Sequence, residues 1–291
     1  MNFVKFVAGL IRRYNPDYGN NEILNNKFQI VRVIYLMIDA CIFRDFKTVS
    51  LEDMEKVRLM NRVDTKYIAD IRRINRLLEM ASEDYMLQEI DGEFNMPYYT
   101  CYFDTPDVNM FYEHERGKKT RQKIRIRKYE GSETSPFLEI KSKNNKGRTH
   151  KKRISMEEGE SLSIYSSFIS KHSFYFEEEL SPKIENHFFR ITLVNREMTE
   201  RITIDTGLEF HNFATDSHLN LNRLGIIEWK RDGLNCASGL KEILLELRIH
   251  QSGFSKYCMG MAMTDSSLRQ NRLKKKVRLV EKILSDHDRS I

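Results

Sequence analysis

The sequence is poor in proline, glycine and cysteine, and these scarcities exclude several classes of protein. Five prolines and thirteen glycines among 291 residues are too few for a disordered or low-complexity chain. The four cysteines lie far apart without a CxxC pair. Their spacing gives no support for disulfides, so we expect a reduced, cytoplasmic protein. Walker, GxGxxG and HExxH motifs are also missing, so the common nucleotide and zinc signatures give no guidance.

Long apolar runs are missing as well. Residues 28–43 are apolar but contain Arg32 and Asp39, and the segment is too short to span a bilayer. Residues 1–13 are amphipathic and basic. Neither segment has the order of charge, apolar run and cleavage site that a secretory signal needs. We therefore predict an N-terminal helical appendage over residues 1–45 and no stable membrane insertion, with surface attachment of the first helix as the alternative.

What the sequence does contain is an excess of positive charge arranged in alternation. The net charge is +6 and the isoelectric point is about 9.0, which fits an anionic ligand or partner. Charged residues recur at every second position of short β-type segments, so each predicted strand has one apolar and one ionic face. The alternating charges include Lys123, Arg125 and Arg127; Glu139 and Lys141; Lys151 and Arg153; Arg201 and Asp205; and Glu228 and Lys230.

The order of elements predicts an antiparallel sheet. Alternation predicts strands at 62–69, 98–103, 121–129, 136–143, 149–155, 186–195, 199–206 and 225–231. Helical spacing predicts helices at 51–60, 70–82, 106–114, 157–171, 173–180, 240–249 and 257–284. Most strands are joined by short turns, which favours antiparallel pairing. About eight strands suit a closed barrel, because closure removes exposed edges. We predict an α+β fold with one domain over residues 46–291.

The residues alone leave two orientations for the ionic faces. Charges can face solvent around an apolar interior, as they do on ordinary half-buried sheets. Alternatively, they line a polar tunnel while the apolar faces pack under the inserted helices. Large and β-branched residues between the charges, the amphipathic helices and the abundance of arginine favour the tunnel, since arginine suits bidentate contact with phosphate.

A tunnel of this kind predicts phosphate chemistry. The candidate phosphate-binding cations are Lys66, Arg125, Arg127, Lys141, Lys151, Arg153, Arg196, Arg201 and Lys256. Carboxylates of Glu139 and Glu228, with Asp64 or Asp205, could hold a hard divalent cation. Phosphoryl transfer needs positioning, a metal and charge stabilisation, and it requires no covalent nucleophile.

The same residues lie in motifs of a known family. The motifs are RVDTKY (62–67), YFDT (102–105), the run at 110–129, FLEIKSK (137–143), GRTHKKRI (147–154), NRE (195–197), ERITIDTG (200–207), IIEWKRDG (226–233) and GFSKYCMG (253–260). In this order they resemble the VTC-type polyphosphate polymerase domain, a branch of the triphosphate tunnel metalloenzymes with the CYTH-like fold. The resemblance implies an eight-stranded antiparallel β-barrel tunnel with a polar interior, covered by helices.

The resemblance also implies roles for individual residues. Those expected to contact phosphates and support catalysis are Lys66, Arg125, Arg127, Lys141, Arg196 and Arg201, with Lys151, Arg153 and Lys256 as further phosphate ligands. Glu228 is similar to the family's metal-binding glutamate, and Glu139 is expected as a second carboxylate ligand. The implied metal is Mn²⁺ or Mg²⁺. Two departures stand out. Val194 occupies a position where tyrosine is common, and the first strand lacks the ExExK pair of glutamates.

The leading hypothesis is a metal-dependent polymerase that transfers the γ-phosphoryl group of ATP onto inorganic polyphosphate. A triphosphatase needs the same tunnel, with water in place of the acceptor, so the sequence leaves that alternative open. A third reading is a non-catalytic protein that binds polyphosphate or another polyanion. ATP and polyphosphate are the expected partners, nucleic acid is not expected, and the pattern makes no prediction of the oligomeric state.

Overall fold

The computed structural model describes residues 38, 40–54, 62–130, 134–233 and 238–286. The strands in these ranges are β1 (Lys47–Ser50), β2 (Arg62–Asp70), β3 (Tyr85–Glu89), β4 (Met96–Asp104), β5 (Arg121–Tyr129), β6 (Phe137–Lys143), β7 (Thr149–Ser155), β8 (Ser181–Asn195), β9 (Glu200–Asn212), β10 (Ser217–Leu221) and β11 (Leu224–Asp232). The α-helices are α1 (Leu51–Met54), α2 (Ile71–Ala81), α3 (Asn109–Glu115), α4 (Ser166–His172), α5 (Gly239–Glu246), α6 (Lys256–Thr264) and α7 (Lys274–Asp286). Short 3₁₀ turns occupy Ala40–Asp45, Leu162–Tyr165 and Glu177–Glu179.

All of these strands belong to one curled sheet. Eight of them follow the path β2-β11-β9-β8-β4-β5-β6-β7, and each neighbouring pair along the path is antiparallel. β10 extends the hairpin from β9, and β3 pairs with β8 and, in parallel, with β1. This confirms the predicted α+β class and the antiparallel eight-strand arrangement under helices.

The closure of the barrel differs from the expectation. β2 and β7 end the path, and each has a single partner along it among the described residues, so the sheet forms a half-barrel. Both end strands carry cations, Lys66 on β2 and Lys151 with Arg153 on β7. Like charges repel across such a gap unless an anion lies between them, which opposes direct pairing of these two strands.

Helices α2 and α5 cover the apolar face of one half of the sheet. α2 begins at Asp70, whose carboxylate accepts from the Arg72 amide at 2.9 Å, a typical N-cap bond. Its helical stripe of Ile71, Ile74, Leu77, Leu78 and Ala81 is fully buried. These side chains pack with isoleucines and leucines of β8, β9 and β11. Burial of each large side chain stabilises the fold by roughly 1.5–3 kcal/mol. The apolar side of the sheet is therefore held under these helices, and the charged side chains of the same strands lie on the opposite side.

Helix α6 covers one end of the opposite face. Gly260 lies against Ile184 of β8 and Phe210 of β9, where an added Cβ would come within 2.7 Å of each side chain. Tyr257 stacks on Tyr102 with ring centroids 5.4 Å apart. The Tyr257 hydroxyl also donates to the buried Asp104 carboxylate at 2.5 Å. The close approach at glycine and these aromatic contacts place the N-terminus of α6 beside the charged part of the same face.

Several predicted elements are shorter or divided. The predicted helix 257–284 is two helices, because the chain turns extended at Asp265 (φ −133°, ψ 101°) and resumes as α7. The segments predicted helical at 157–180 contain only α4 and two 3₁₀ turns. The short strands β1, β3 and β10 were not predicted. Ser50 and Asp53 do form the expected capping contact, at 2.9 Å, although residues 55–60 of that predicted helix lie outside the described residues.

The remaining sequence predictions concern the termini and the cysteines. The predicted appendage at 1–45 falls almost entirely outside the described residues. Among the described residues, Cys101 and Cys258 are buried free thiols. Within the described ranges, no helix is both long enough and apolar enough to cross a membrane.

Candidate phosphate-binding site

The cross-strand register places the predicted charges on one face of the sheet. Lys66 lies opposite Glu228, Arg125 lies opposite Glu139, and Lys141 lies opposite Lys151. We call this surface the ionic face. It comprises Asp64, Lys66, Lys123, Arg125, Arg127, Glu139, Lys141, Lys151, Arg153, Arg190, Arg201, Asp205, Glu228 and Lys230, with Lys256 reaching it from α6.

The ionic face is the interior of the half-barrel. Arg125, Arg127 and Glu139 are buried, with at most 8 % of each residue exposed. Lys141 of β6 also interacts electrostatically with Glu228 of β11, although these strands are far apart in the sheet order. Since the other face of the sheet packs under helices, the structure supports the tunnel orientation over the solvated one.

Glu139 holds two cations at fixed positions. Its Oε2 accepts from Arg125 Nη2 at 2.6 Å and Nε at 2.8 Å, and its Oε1 accepts from Lys151 Nζ at 3.1 Å. Burial alone would raise the pKa of this carboxyl, but Arg125, Arg127 and Lys151 outweigh burial and lower the pKa to about 2. Glu139 is therefore ionised at neutral pH and orients the Arg125 guanidinium.

Glu228 forms a second, more accessible carboxylate centre. Lys230 Nζ donates to Glu228 Oε2 at 2.7 Å, and Lys66 Nζ lies 3.4 Å from Oε1. Burial again acts to raise its pKa, but Lys66 and Lys230 hold the pKa of Glu228 well below its usual range. The Lys66 side chain is 37 % exposed, so it can move away from Glu228 when a ligand enters.

Asp205 is the third carboxylate, and it is fully engaged by Arg190 and Lys256. Arg190 donates to both carboxylate oxygens, at 2.6 and 2.8 Å, and Lys256 donates to Oδ2. The Lys256 ammonium also lies 3.7 Å from the ring centroid of Phe188. Burial and the nearby Arg190 lower the pKa of Lys256 to about 7, although Asp205 opposes this shift.

Three other cations of the ionic face, Arg127, Lys141 and Lys123, form no ion pair with a carboxylate among the described residues. Arg127 is buried, and its Nε has no hydrogen-bond partner; burial, Arg125 and Arg190 lower its pKa to about 10. The charge of Arg125, followed by burial and the charge of Arg127, holds the pKa of Lys141 well below its usual range. Lys123 Nζ donates to the Ser255 hydroxyl at 2.6 Å, and burial lowers its pKa to about 8. The ionic face therefore contains buried positive charge in excess.

Four predicted phosphate ligands remain, and three of them, Lys151, Arg153 and Arg196, occupy more peripheral places. Lys151 and Arg153 lie on β7, whose residues are all exposed, and Arg153 stacks over Phe137 at 4.9 Å. Arg201 lies on the ionic face opposite Lys230. Arg196 is not on this face: it follows the last residue of β8, is exposed, and donates to the Glu83 carbonyl. The phosphate-binding role expected of Arg196 stays a prediction, and its position beyond the last residue of β8 lies outside the strand alternation.

The sequence prediction missed Arg190, Lys123 and Lys230 as site residues. Lys123 and Lys230 belong to the same alternating runs as Arg125 and Glu228, so the pattern already contained their signal. Arg190 lies in the otherwise apolar run HFFRITL. A charged residue inside a predicted strand needs a buried partner, and Asp205 on the neighbouring strand provides it.

The family resemblance implies a divalent metal, and the carboxylates of the ionic face differ in how well they fit one. Mg²⁺ and Mn²⁺ prefer oxygen ligands, and Mg²⁺ often uses one or two protein carboxylates together with substrate phosphates. Glu228 fits this use, because it is ionised and its Lys66 contact is long. Glu139 fits poorly, because both its oxygens are engaged and its side chain is only 2 % exposed. Asp205 is likewise engaged by Arg190 and Lys256.

Solved structures with a similar fold come from several organisms. A candidate adenylate cyclase from Bacillus halodurans matches with 14 % identity, covering 67 % of this chain and 96 % of that chain, with a TM-score of 0.43. The PH1819 protein from Pyrococcus horikoshii matches with 14 % identity over 69 % and 98 %, with a TM-score of 0.40. The Mimivirus capping enzyme triphosphatase matches with 11 % identity over 68 % and 93 %, with a TM-score of 0.32.

The family itself is defined by sequence. The VTC domain model matches residues 61–264, which is more than half of the chain and spans β2 to α6. The protein belongs to the VTC domain family, as the motif resemblance indicated. Among curated proteins, no match to the sequence is found.

Proposed function

We propose that this protein is a phosphotransferase that extends polyphosphate with the γ-phosphoryl group of ATP. The observation that carries the proposal is the excess of buried cations on the ionic face. Arg127, Lys141 and Lys123 lie in the interior without a carboxylate partner among the described residues, which is unfavourable unless an anion binds there. A chain of phosphates supplies negative charge at regular intervals along such a surface.

The ion pairs give this surface its geometry. Arg125 donates twice to Oε2 of Glu139, and Arg190 donates to both oxygens of Asp205, so their guanidinium groups are positioned before substrate binds. A phosphate oxygen accepts from the remaining N–H groups without a large loss of side-chain entropy. Preorganised positive charge also stabilises the transition state, in which negative charge spreads over the transferring phosphoryl oxygens.

The proposed reaction is a direct in-line displacement. An oxygen of the terminal phosphate of the acceptor chain forms a bond to the γ-phosphorus of ATP. The bond between that phosphorus and the β,γ-bridging oxygen breaks, and ADP leaves with the bond's electron pair. The acceptor phosphate oxygen is already deprotonated at neutral pH, so no protein base is required.

A divalent cation belongs to the same proposal. Glu228 would hold it together with phosphate oxygens, and when bound the ion would neutralise charge on the phosphates. Manganese and magnesium are the proposed ions, and the cytoplasm, which supplies ATP, is the proposed compartment. The protein's own contribution is to bind the two phosphate chains and keep their reacting ends aligned.

The deciding experiment is a product assay on the purified protein. Incubation with ATP and Mn²⁺ or Mg²⁺ should release ADP and form a polymer that resists nucleases and is degraded by a polyphosphatase. Orthophosphate as the sole phosphate product besides ADP would replace the proposal with a triphosphatase. Bound polyphosphate without any turnover of ATP would replace it with a non-catalytic binding protein.

Variants of one carboxylate separate catalysis from binding. Glu228→Gln should abolish turnover while polyphosphate still binds, because the cations remain. Glu79→Gln is the matched control, since Glu79 is an exposed residue that pairs with Arg76 on α2. Equal turnover in Glu228→Gln and Glu79→Gln would contradict the role given to Glu228. Lys66→Ala should weaken both binding and turnover.

A further inference from the structure

A cluster of histidines and a carboxylate lies on the β9–β10 hairpin, away from the ionic face. His211 and His218 are direct cross-strand partners, and their rings are stacked with centroids 4.5 Å apart and planes 8° apart. Asp216, in the turn between the strands, places Oδ1 2.9 Å from His211 Nε2. One ligand atom from each of the three residues can be chosen so that all lie within 4.8 Å of one another.

The hairpin cluster is on the outer side of the sheet. His211 lies opposite Glu185, and Glu185 lies opposite Cys101. Cys101 alternates with Thr100 and Tyr102, and Thr100 and Tyr102 lie opposite Arg127 and Arg125 of the ionic face. The cluster and the proposed phosphate site are therefore separated by the thickness of the sheet.

A second layer of hydrogen bonds orients His211. Its Nδ1 lies 3.2 Å from Glu185 Oε1, and the other oxygen of Glu185 accepts from the Tyr99 hydroxyl at 2.8 Å. In metal-binding histidines, one ring nitrogen commonly donates to a carboxylate while the other binds the metal. Glu185, fixed by Tyr99, orients the His211 ring through Nδ1, so that Nε2 faces Asp216 and can bind a metal ion once it loses its proton.

We propose that His211, His218 and Asp216 bind one divalent transition-metal ion, with Zn²⁺ as the best fit. Two imidazole nitrogens and a carboxylate oxygen suit Zn²⁺, whereas Mg²⁺ and Ca²⁺ prefer all-oxygen sites. Zinc bonds of about 2.0–2.2 Å in tetrahedral geometry place ligand atoms roughly 3.4 Å apart. Reaching that geometry requires the exposed side chains of Asp216 and His218 to rotate, with His218 leaving its stacked position on His211, and water completes the coordination.

The ion would stabilise a hairpin that is already hydrogen-bonded to α6. The Asn212 side chain donates to the Thr264 hydroxyl at 2.8 Å, and the Thr215 hydroxyl donates to the Thr264 carbonyl at 3.1 Å. These bonds join the turn that carries Asp216 to the C-terminal end of α6. Metal binding at the hairpin should therefore raise the thermal midpoint of the whole domain, since a ligand that binds only the folded state stabilises it.

Cobalt provides a direct probe of the site. Co²⁺ should be titrated into tag-free protein carrying Glu228→Gln, so that the proposed phosphate-site cation does not contribute. We expect one equivalent of Co²⁺ with the visible absorption of a nitrogen–oxygen site, displaced by Zn²⁺. His218→Ala and Asp216→Asn should each weaken binding at least about tenfold, and Glu185→Gln should weaken it about 10- to 100-fold through His211.

The same Co²⁺ titration on a control variant decides whether the three proposed ligands form the site. His250→Ala removes an exposed histidine outside the cluster and should bind Co²⁺ like its parent. Zn²⁺ should raise the thermal midpoint of the parent and of His250→Ala, but not that of His218→Ala. Absence of stoichiometric Co²⁺ binding in the parent would overturn the site, and so would unchanged binding in both His218→Ala and Asp216→Asn. Neither result bears on ATP turnover at the ionic face.

Discussion

Arg127→Met should make the ligand-free protein more stable and the phosphate site weaker. Arg127 is 8 % exposed and has no carboxylate partner among the described residues, and its pKa falls from 12.5 to about 10 mainly because of burial. Each pKa unit corresponds to about 1.4 kcal/mol, so keeping this charge in the folded protein costs about 3 kcal/mol at neutral pH. The contact of Arg127 with the Tyr98 ring, 5.4 Å from the centroid, offsets part of that cost.

The net expectation is a gain of about 1–3 kcal/mol in the free energy of unfolding. Methionine keeps the length and flexibility of the arginine stem without its charge. For a domain of this size the gain corresponds to a rise of roughly 2–4 °C per kcal/mol in the thermal midpoint. Stability should rise because the pKa of Arg127 is lower in the folded protein than in the unfolded chain. The charged form of Arg127 therefore destabilises the fold at every pH below about 10.

The same substitution should weaken polyphosphate binding. A hydrogen bond from a charged donor contributes about 1.5–3 kcal/mol, which corresponds to roughly 10- to 150-fold in the dissociation constant. Stability is measured by thermal and urea unfolding without ligand, and binding by calorimetry with polyphosphate of defined length. A lower thermal midpoint for Arg127→Met, or unchanged polyphosphate affinity, would refute the reasoning.

Arg125→Met is the matched control, two residues away on the same face of β5. Arg125 neutralises Glu139, whose side chain is 2 % exposed. Its removal leaves that carboxylate with Lys151 as its one hydrogen-bonded cation among the described residues, and we expect a loss of about 2–4 kcal/mol. The folded pKa of Glu139 is about 2, below its ordinary value of 4.5, so this loss is complete above pH 5 and shrinks as the pH falls through 4.5. We therefore expect the free energy of unfolding to rise in Arg127→Met and to fall in Arg125→Met.

Two further predictions concern proton uptake and packing. Because burial lowers the pKa of Lys123 to about 8 and a bound phosphate would raise it again, polyphosphate affinity should fall as the pH rises from 7 to 9, with proton uptake on binding. Calorimetry in buffers of different ionisation enthalpy measures this, and binding without proton uptake at pH 8 contradicts it. Gly225→Ala should destabilise the domain by about 1–3 kcal/mol in urea unfolding, because the new Cβ would lie 2.4 Å from Ile74 Cγ1; unchanged stability would show that α2 can shift to accommodate the methyl group.

The strands that carry alternating charges could be predicted from the sequence, and the short edge strands could not. β5 at Arg121–Tyr129 and β7 at Thr149–Ser155 have the predicted bounds, because alternation of two side-chain types defines a strand locally. β1 and β3 are four and five residues long. They form by pairing with each other and, through β3, with β8, and such tertiary contacts leave little trace in a short sequence window.

The position of individual cations was harder to predict than the existence of the ionic face. Alternation shows that Arg125 and Arg127 share a face, but the packing of helices decides whether that face is interior. Arg196 lies just beyond β8, where the backbone turns. Alternation in the sequence no longer predicts there which face of the sheet a side chain is on. Arg190 was missed because an apolar sequence surrounds it and its partner Asp205 lies on the neighbouring strand. The local sequence pattern shows neither where β8 ends nor which residues face each other across two strands.

The carboxylates of Glu139 and Asp205 divide the arginines and lysines of the ionic face into a paired and an unpaired group with different roles. Glu139 and Asp205 fix Arg125 and Arg190 in place, so that in the proposed function these arginines would bind phosphate without reorganisation. Arg127 and Lys141 have no such partner among the described residues, and their lowered pKa values show that burial and like charges oppose their ionised forms. A bound polyanion relieves this opposition, because it supplies the missing negative charge where water is excluded. The unpaired cations thus destabilise the empty site and stabilise the occupied one, so folding stability and phosphate affinity should change in opposite directions at Arg127 and in the same direction at Arg125.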